Sequence, residues 1–172
     1  MKKIFIIFFI YVFHFNFAIA QTSIAFIDME KIISSSKPGS YILKQLKDMN
    51  LNNLKIFDSN AKKLKDQEIK LISQKNILSE ADFQKNVDKL TLEVKNYNIN
   101  RDKVNKNFNK LRIDSTNKLL KLINPILVDY SKDKSISLIL KKRNLVIGKT
   151  EFDITDEIIQ IIDREINQFK IQ

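Results

Sequence analysis

From Tyr41 to Lys121 the chain contains neither glycine nor proline, and no other feature constrains its fold as strongly. The whole 172-residue chain has two Gly and two Pro, at positions 38, 39, 125 and 148, so it has few residues with which to turn. Long uninterrupted helices are expected, not a many-stranded barrel. Within the stretch, Phe83, Val87, Leu90, Val94, Tyr97, Arg101, Val104, Phe108 and Leu111 alternate spacings of four and three, which define a coiled-coil heptad. Leu54, Phe57, Ala61, Leu64, Glu68, Leu71, Lys75 and Leu78 alternate in the same way.

The two series are out of phase by one step, because Leu78 to Phe83 spans five residues. Ser79-Glu80-Ala81-Asp82 sits at that break and has the pattern of a capping box, which starts a new helix. The stretch therefore reads as an antiparallel hairpin over residues 41–121 with its tip near residues 76–80. One continuous helix with a register slip is the alternative. At ~1.5 Å per residue each arm would be on the order of 50 to 60 Å long. Glu68, Lys75 and Arg101 interrupt the apolar seam, so the hairpin is expected to be marginal and flexible, their stems lying on the seam and their heads in water.

The flanks are different in character. Residues 24–28, IAFID, form a strand candidate, followed by a helical turn or two over Met29 to Ser36 that ends near Pro38 and Gly39. After the hairpin, Asn124-Pro125 predicts a kink or restart, with a short amphipathic helix over Ile126 to Tyr130. SISLIL (135–140) and NLVI (144–147) are strand candidates joined by the basic turn Lys141-Lys142-Arg143. A last helix opens near Asp153 or Thr155 as its cap and buries Ile158, Ile159, Ile161, Ile162 and Ile166. The fold class is thus α+β and mostly α, a long helical hairpin on a small β-containing body made of residues 21–40 and 122–172.

The first twenty residues belong to neither part. Lys2 and Lys3, the apolar run Ile4 to Phe13, and Ala18-Ile19-Ala20 before Gln21 have the order of a secretory signal peptide. The apolar run is about ten residues, short of the roughly 20 that span a bilayer. Cleavage removes His14, the chain's one histidine, and there is no cysteine. The mature chain then lacks the residues of Ser/His/Asp and Cys/His nucleophile systems and of the usual zinc sites. Asp28 with Glu30, and Asp153 with Asp156 and Glu157, are carboxylate clusters, but acidic residues in a first helical turn are explained by the helix dipole. Gly39 and Gly148 cannot form a phosphate-cradling loop. No enzyme activity, cofactor or metal is expected.

Charge points to a partner. The sequence carries a formal net charge of +10. Residues 41–121 hold 18 Lys and Arg against 10 Asp and Glu, whereas the rest of the mature chain is balanced at 10 against 10. A basic arm attracts anionic chains over about a Debye length and releases them as salt rises. The body, with about seventy residues, is small for a core to sustain alone. Its short strands also leave edges that self-association into a closed ring would cover.

The order of a signal peptide, IAFIDMEKIISSSKPGS, a long charged hairpin and SISLILKKRNLVIGKTEFDITDEIIQII resembles the Skp/OmpH family of periplasmic chaperones. IAFIDMEKII and the carboxyl-terminal strand-turn-strand-DITDEII are the specific pieces; the coiled hairpin is generic. The resemblance implies a homotrimer whose strands form a small barrel body and whose three hairpins surround a cavity. That cavity would hold unfolded outer-membrane β-barrel proteins in the periplasm, without ATP. Ile24, Phe26, Ile136, Leu138, Leu140, Leu145 and Ile147 would then be assembly residues. The basic residues of a lipopolysaccharide site proposed in some members have no match here.

The residues and the resemblance converge on a holdase that uses many weak contacts. Lys62, Lys63, Lys65, Lys70, Lys75, Lys85, Lys89, Lys95, Lys103 and Lys106 would meet acidic groups, and Ile77, Leu78 and Ile99, with Ile113, would meet exposed apolar side chains. An anionic lipid surface is a further candidate partner. A nucleic-acid partner is not expected, because export separates the chain from it and Tyr97 and Phe108 lie on the seam, not on a stacking platform. The alternative is an envelope adaptor that docks end-on to a folded protein; it would depend on a few residues around Asn76 to Glu80, whereas a holdase would tolerate any one substitution there.

Overall fold

The computed structural model describes residues 23–171, and the signal segment at residues 1–20 lies outside the described residues. In chain order the elements are β1 (Ser23–Ile27), α1 (Met29–Ser35), α2 (Lys37–Ser73), α3 (Glu80–Asp133), β2 (Ile136–Lys141) and α4 (Thr155–Glu165). Short 3-10 turns at Lys142–Asn144 and Thr150–Phe152 lie between β2 and α4. The α+β, mostly α architecture is as expected.

Local chemistry explains where the first three helices begin. Asp28 caps α1 by accepting from Lys31 N–H at 2.9 Å. Ser36 closes α1 with its own N–H, 3.1 Å from the Ile32 carbonyl, and caps α2 with its hydroxyl, which accepts from Gly39 N–H at 3.3 Å. Position 39 has to be glycine, because a Cβ there would stand 2.0 Å from the Ile33 carbonyl oxygen. Residues 74–79 reverse the chain, and Ser79 caps α3 by accepting from Asp82 N–H at 3.1 Å while donating to the Asp82 carboxylate at 2.6 Å.

The restart expected at Asn124-Pro125 does not occur: α3 runs through it to Asp133, with Pro125 inside the helix. An interior proline forfeits a backbone bond and crowds the preceding turn, at a cost of ~3 kcal/mol. Leu119, Ile123 and Ile126 offset it by burying one face of α3 on either side of the proline. That face is the middle of the core. Ala25 and Ile27 from the sheet, Ile32 from α1, Ile42 and Leu46 from α2, and Ile154, Ile158 and Ile162 from the α4 region close around it.

β1 and β2 pair in parallel, with Ile24 opposite Leu138, Ala25 opposite Ile139 and Phe26 opposite Leu140. Parallel neighbours need a crossover, and here the entire helical arm is that crossover. Ala25 and Ile27 face the core, so Ile24, Phe26, Leu138 and Leu140 share the outer face by the two-residue period. Ile24 and Leu138 are exposed there, whereas Phe26 is 6% exposed, covered by Gly148 and by the Lys142 ammonium 5.9 Å from its ring centroid. Ile136 packs against the core from the strand's first position.

Residues 144–147 do not form the expected strand. Among the described residues the sheet holds two strands, and the free edge of β1 meets Asp153 through a bridge to Phe26. Paired with neither free strand edge of the sheet, Val146 and Ile147 stand 103% and 91% exposed. Leu145 is half-buried.

Candidate binding surface of the helical arm

The two arm helices lie side by side from the body to the turn at residues 74–79, and their seam departs from the expected register. Phe57 and Leu71 are buried and Leu64 and Leu78 half-buried, as the heptad requires. The residues between them are Asn53, Asn60 and Gln74, all half-buried, while Leu54, Ala61, Glu68 and Lys75 are exposed. The column 53/60/67/74 contains only side-chain amides, of which Gln67 alone is exposed; the column 54/61/68/75 contains two charges. Half-burying an amide costs less than half-burying Glu or Lys, and this difference outweighs the apolar gain at Leu54 and Ala61. In α3 the seam follows the expected Phe83, Val87, Leu90, Tyr97, Val104, Phe108 and Leu111, all half-buried, with Val94 and Arg101 exposed.

This rotation gives the arm two unlike faces. One is polar, where Asn60, Gln67, Gln74, Asn86, Glu93, Asn96 and Asn100 surround the edges of Leu64, Leu71, Leu90 and Tyr97. The other is an open apolar groove of about 730 Å³. Ala61, Leu64, Leu71 and Ile72 form its α2 wall, and Phe83, Val87, Leu90, Val94 and Tyr97 its α3 wall. Lys65, Glu68, Thr91 and Asn98 complete it. Phe57 and Tyr97 stand at its body end, rings edge to face with centroids 6.5 Å apart.

The ten expected client-binding lysines are all exposed and spread around the arm. Lys65 alone among them lines the apolar groove; Lys70 and Lys89 flank the polar face near the tip, and Lys63 flanks it nearer the body. Lys89 is paired loosely with Glu93 at 3.9 Å. Lys110, at the foot of the arm, is held by Asp114 at 2.8 Å, and that hydrogen bond raises its pKa. Ile77 protrudes from the turn at 80% exposure, and Ile99 and Ile113 are exposed on α3. Leu78 is half-buried at the last seam position and is not an outward residue. The groove residues were legible in the sequence as a seam; their second role was missed, and the signal was Ala61 and Ile72 flanking the Leu64/Leu71 column on one side.

A model of a family described as outer membrane protein, OmpH-like, matches residues 23–162. The fold matches a crystal structure from Caulobacter crescentus CB15 described as an OmpH-like outer membrane chaperone. The TM-score is 0.81 at 12% sequence identity, over 88% of this chain and 89% of that one. No curated protein matches the chain.

Proposed function

Given that the chain belongs to the OmpH-like family of outer membrane proteins, we propose that it is an ATP-independent periplasmic holdase for unfolded outer-membrane β-barrel proteins. The supporting observation is the open apolar groove between Ala61 and Asn98, on an arm whose charge is strongly positive. An unfolded chain offers apolar side chains without a fixed shape. A long shallow groove accepts such a chain in many registers, and the surrounding lysines hold acidic segments nearby. Binding of this kind favours the unfolded, unaggregated client by mass action and needs neither nucleotide nor metal.

The active form is a homo-oligomer, a trimer by family analogy, reached by export and removal of residues 1–20. Its body consists of residues 21–40 and 122–172, and its arm of residues 41–121. Ile24 and Leu138 on the outer face of the sheet, exposed Val146 and Ile147 and half-buried Leu145 in the loop after it, are apolar groups available for subunit contact. Pairing through the free edge of β2 would order residues 144–147 as the strand they do not form alone. An anionic lipid surface would be a secondary partner of the arm lysines.

The test dilutes urea-unfolded barrel protein into buffer with the mature chain, residues 21–172, and follows turbidity. Suppression should saturate near three chains per client and weaken with salt. Replacing Ile72 and Val94 by Ser should raise the chain concentration required several-fold, while Ile77→Ser at the tip should change it little. Unchanged turbidity at several-fold excess of the native chain would overturn the reading. Dependence on Ile77 alone would instead favour docking of a folded partner at the tip, where that side chain protrudes.

A further inference from the structure

After α4 the chain crosses back over the foot of the arm. Ile166, Phe169 and Ile171 pack against the core, yet the segment forms neither helix nor strand. One side chain reads its backbone. Gln45 of α2 donates from Nε2 to the Phe169 carbonyl at 3.1 Å and accepts the Ile171 N–H on Oε1 at 3.2 Å. A single amide thus supplies the donor and acceptor that a neighbouring strand would supply. Nε2 also lies 3.4 Å from the Tyr41 carbonyl one turn earlier, which fixes the rotamer. On α3, the Lys118 ammonium sits 4.5 Å from the Phe169 ring centroid. The crossing segment therefore touches both helices of the arm where they leave the body, and Asp163 adds a third tie by accepting from Lys37 N–H at 2.6 Å.

We propose that Gln45 is a positioning residue for the arm, and that residues 166–171 are the tie through which it sets the angle of α2 and α3 to the body. The leverage comes from length. Gln45 lies roughly 12 Å along α2 from Lys37, and the turn beyond Ser73 lies roughly 55 Å along it, so ~1 Å of slack at Gln45 becomes ~4 to 5 Å at the tip. Burial holds the tie in place; the two hydrogen bonds of Gln45 give it its register on α2. Releasing them would widen the sweep of the arm with little change in the core. The functional consequence, a change in the size of client the arms enclose, rests on the holdase reading, but the tie does not.

The chain has no cysteine, so Ser34→Cys in the body and Asn76→Cys at the tip take spin labels without further changes. Labelled mature chain, diluted into excess unlabelled chain, is measured by pulsed electron resonance as the native form, as Gln45→Met, as a chain ending at Ile166, and as both changes combined. Each single change is expected to broaden the body-to-tip distance distribution about twofold. The combination should broaden it no further, because both cut the same tie, and helix content should be unchanged. Gln45→Glu keeps the acceptor and loses the donor, so it should fall between native and Met and serves if the Met variant does not fold. An unaltered distribution in the single variants, or broadening that adds in the combined one, overturns the proposal. No client is present, so this result and the holdase test fail independently.

Discussion

The ring of Tyr97 packs edge-on against Phe57 across the arm, at an interplanar angle of 86°, and its hydroxyl donates to the Phe57 carbonyl at 3.4 Å. This contact joins the two helices midway between body and tip. Phe57→Ala should cost about 3–5 kcal/mol, felt as opening of the distal arm and not as loss of the body. Tyr97→Phe should be nearly neutral, because the long hydroxyl contact adds little to the ring packing. A double-mutant cycle with Phe57→Ala and Tyr97→Ala, read by amide exchange over residues 57–97, should give a coupling of ~0.5–1.5 kcal/mol. Strict additivity would mean that the rings do not hold the helices together.

Asp153 joins four segments of the body. Its carboxylate accepts from the Lys142 ammonium at 2.8 Å, from Thr155 N–H at 3.1 Å and from the Thr155 hydroxyl, which in turn accepts Asp28 N–H at 2.9 Å. Burial pushes the Asp153 carboxyl up, but the hydrogen bonds from Lys142 and Thr155 outweigh it and its pKa lies below the ordinary value. A carboxyl depressed on folding contributes stability above its unfolded pKa, ~3.9, and loses that contribution as pH falls through the folded value. Asp153→Asn should therefore lower the urea midpoint at pH 7, with the gap closing below about pH 4. A gap that stays constant down to pH 2 would show that the carboxylate charge is not what matters.

How far the fold could be read from the residues depended on whether a position answers to its own neighbours or to distant ones. The hairpin, its turn and the Ser79 cap are local, set by periodicity and a capping box, and they were legible. The α2 register was not, because Leu54 and Ala61 argued for one column and Asn53 and Asn60 for the other; only the opposing helix decides which is buried. Pro125 misled for a similar reason: Ile123 and Ile126 keep α3 intact by joining one core with α1, α2 and α4 residues, most of them far away in sequence. The apolar groove was hidden because its walls are seam residues, and a seam that closes fully and one that gapes on one side have the same heptad pattern.

Ser135 has φ of 53°, the one non-glycine residue among those described in the left-handed region. It lies where α3 ends and β2 begins, the position at which helices commonly terminate in glycine. An L side chain there costs roughly 1–2 kcal/mol, against which glycine's extra freedom in the unfolded chain must be set. Ser135→Gly should stabilise the body by about 0.5–1 kcal/mol, measured as a higher urea midpoint at unchanged slope. Ser135→Val should lower the midpoint by more than that.

The ranks of lysine on the arm make a prediction that separates charge from apolar contact. Lys62, Lys63 and Lys65 are exposed on one stretch of α2, and Lys65 reaches the groove. Replacing all three by Gln leaves the apolar walls of the groove intact, changes one polar residue of its lining, and lowers the arm's positive charge by three. Rim charges act mainly on encounter, so association with an acidic unfolded client should slow about 10-fold at low salt while dissociation changes little. The difference should vanish near 1 M salt, where the Debye length is ~3 Å. Ile72→Ser with Val94→Ser should show the opposite pattern, faster dissociation that persists at high salt. Stopped-flow measurement of both variants across salt concentrations checks the pair. If the lysine variant changed dissociation and kept its defect at 1 M salt, the ammonium groups would be direct contacts and not a steering field.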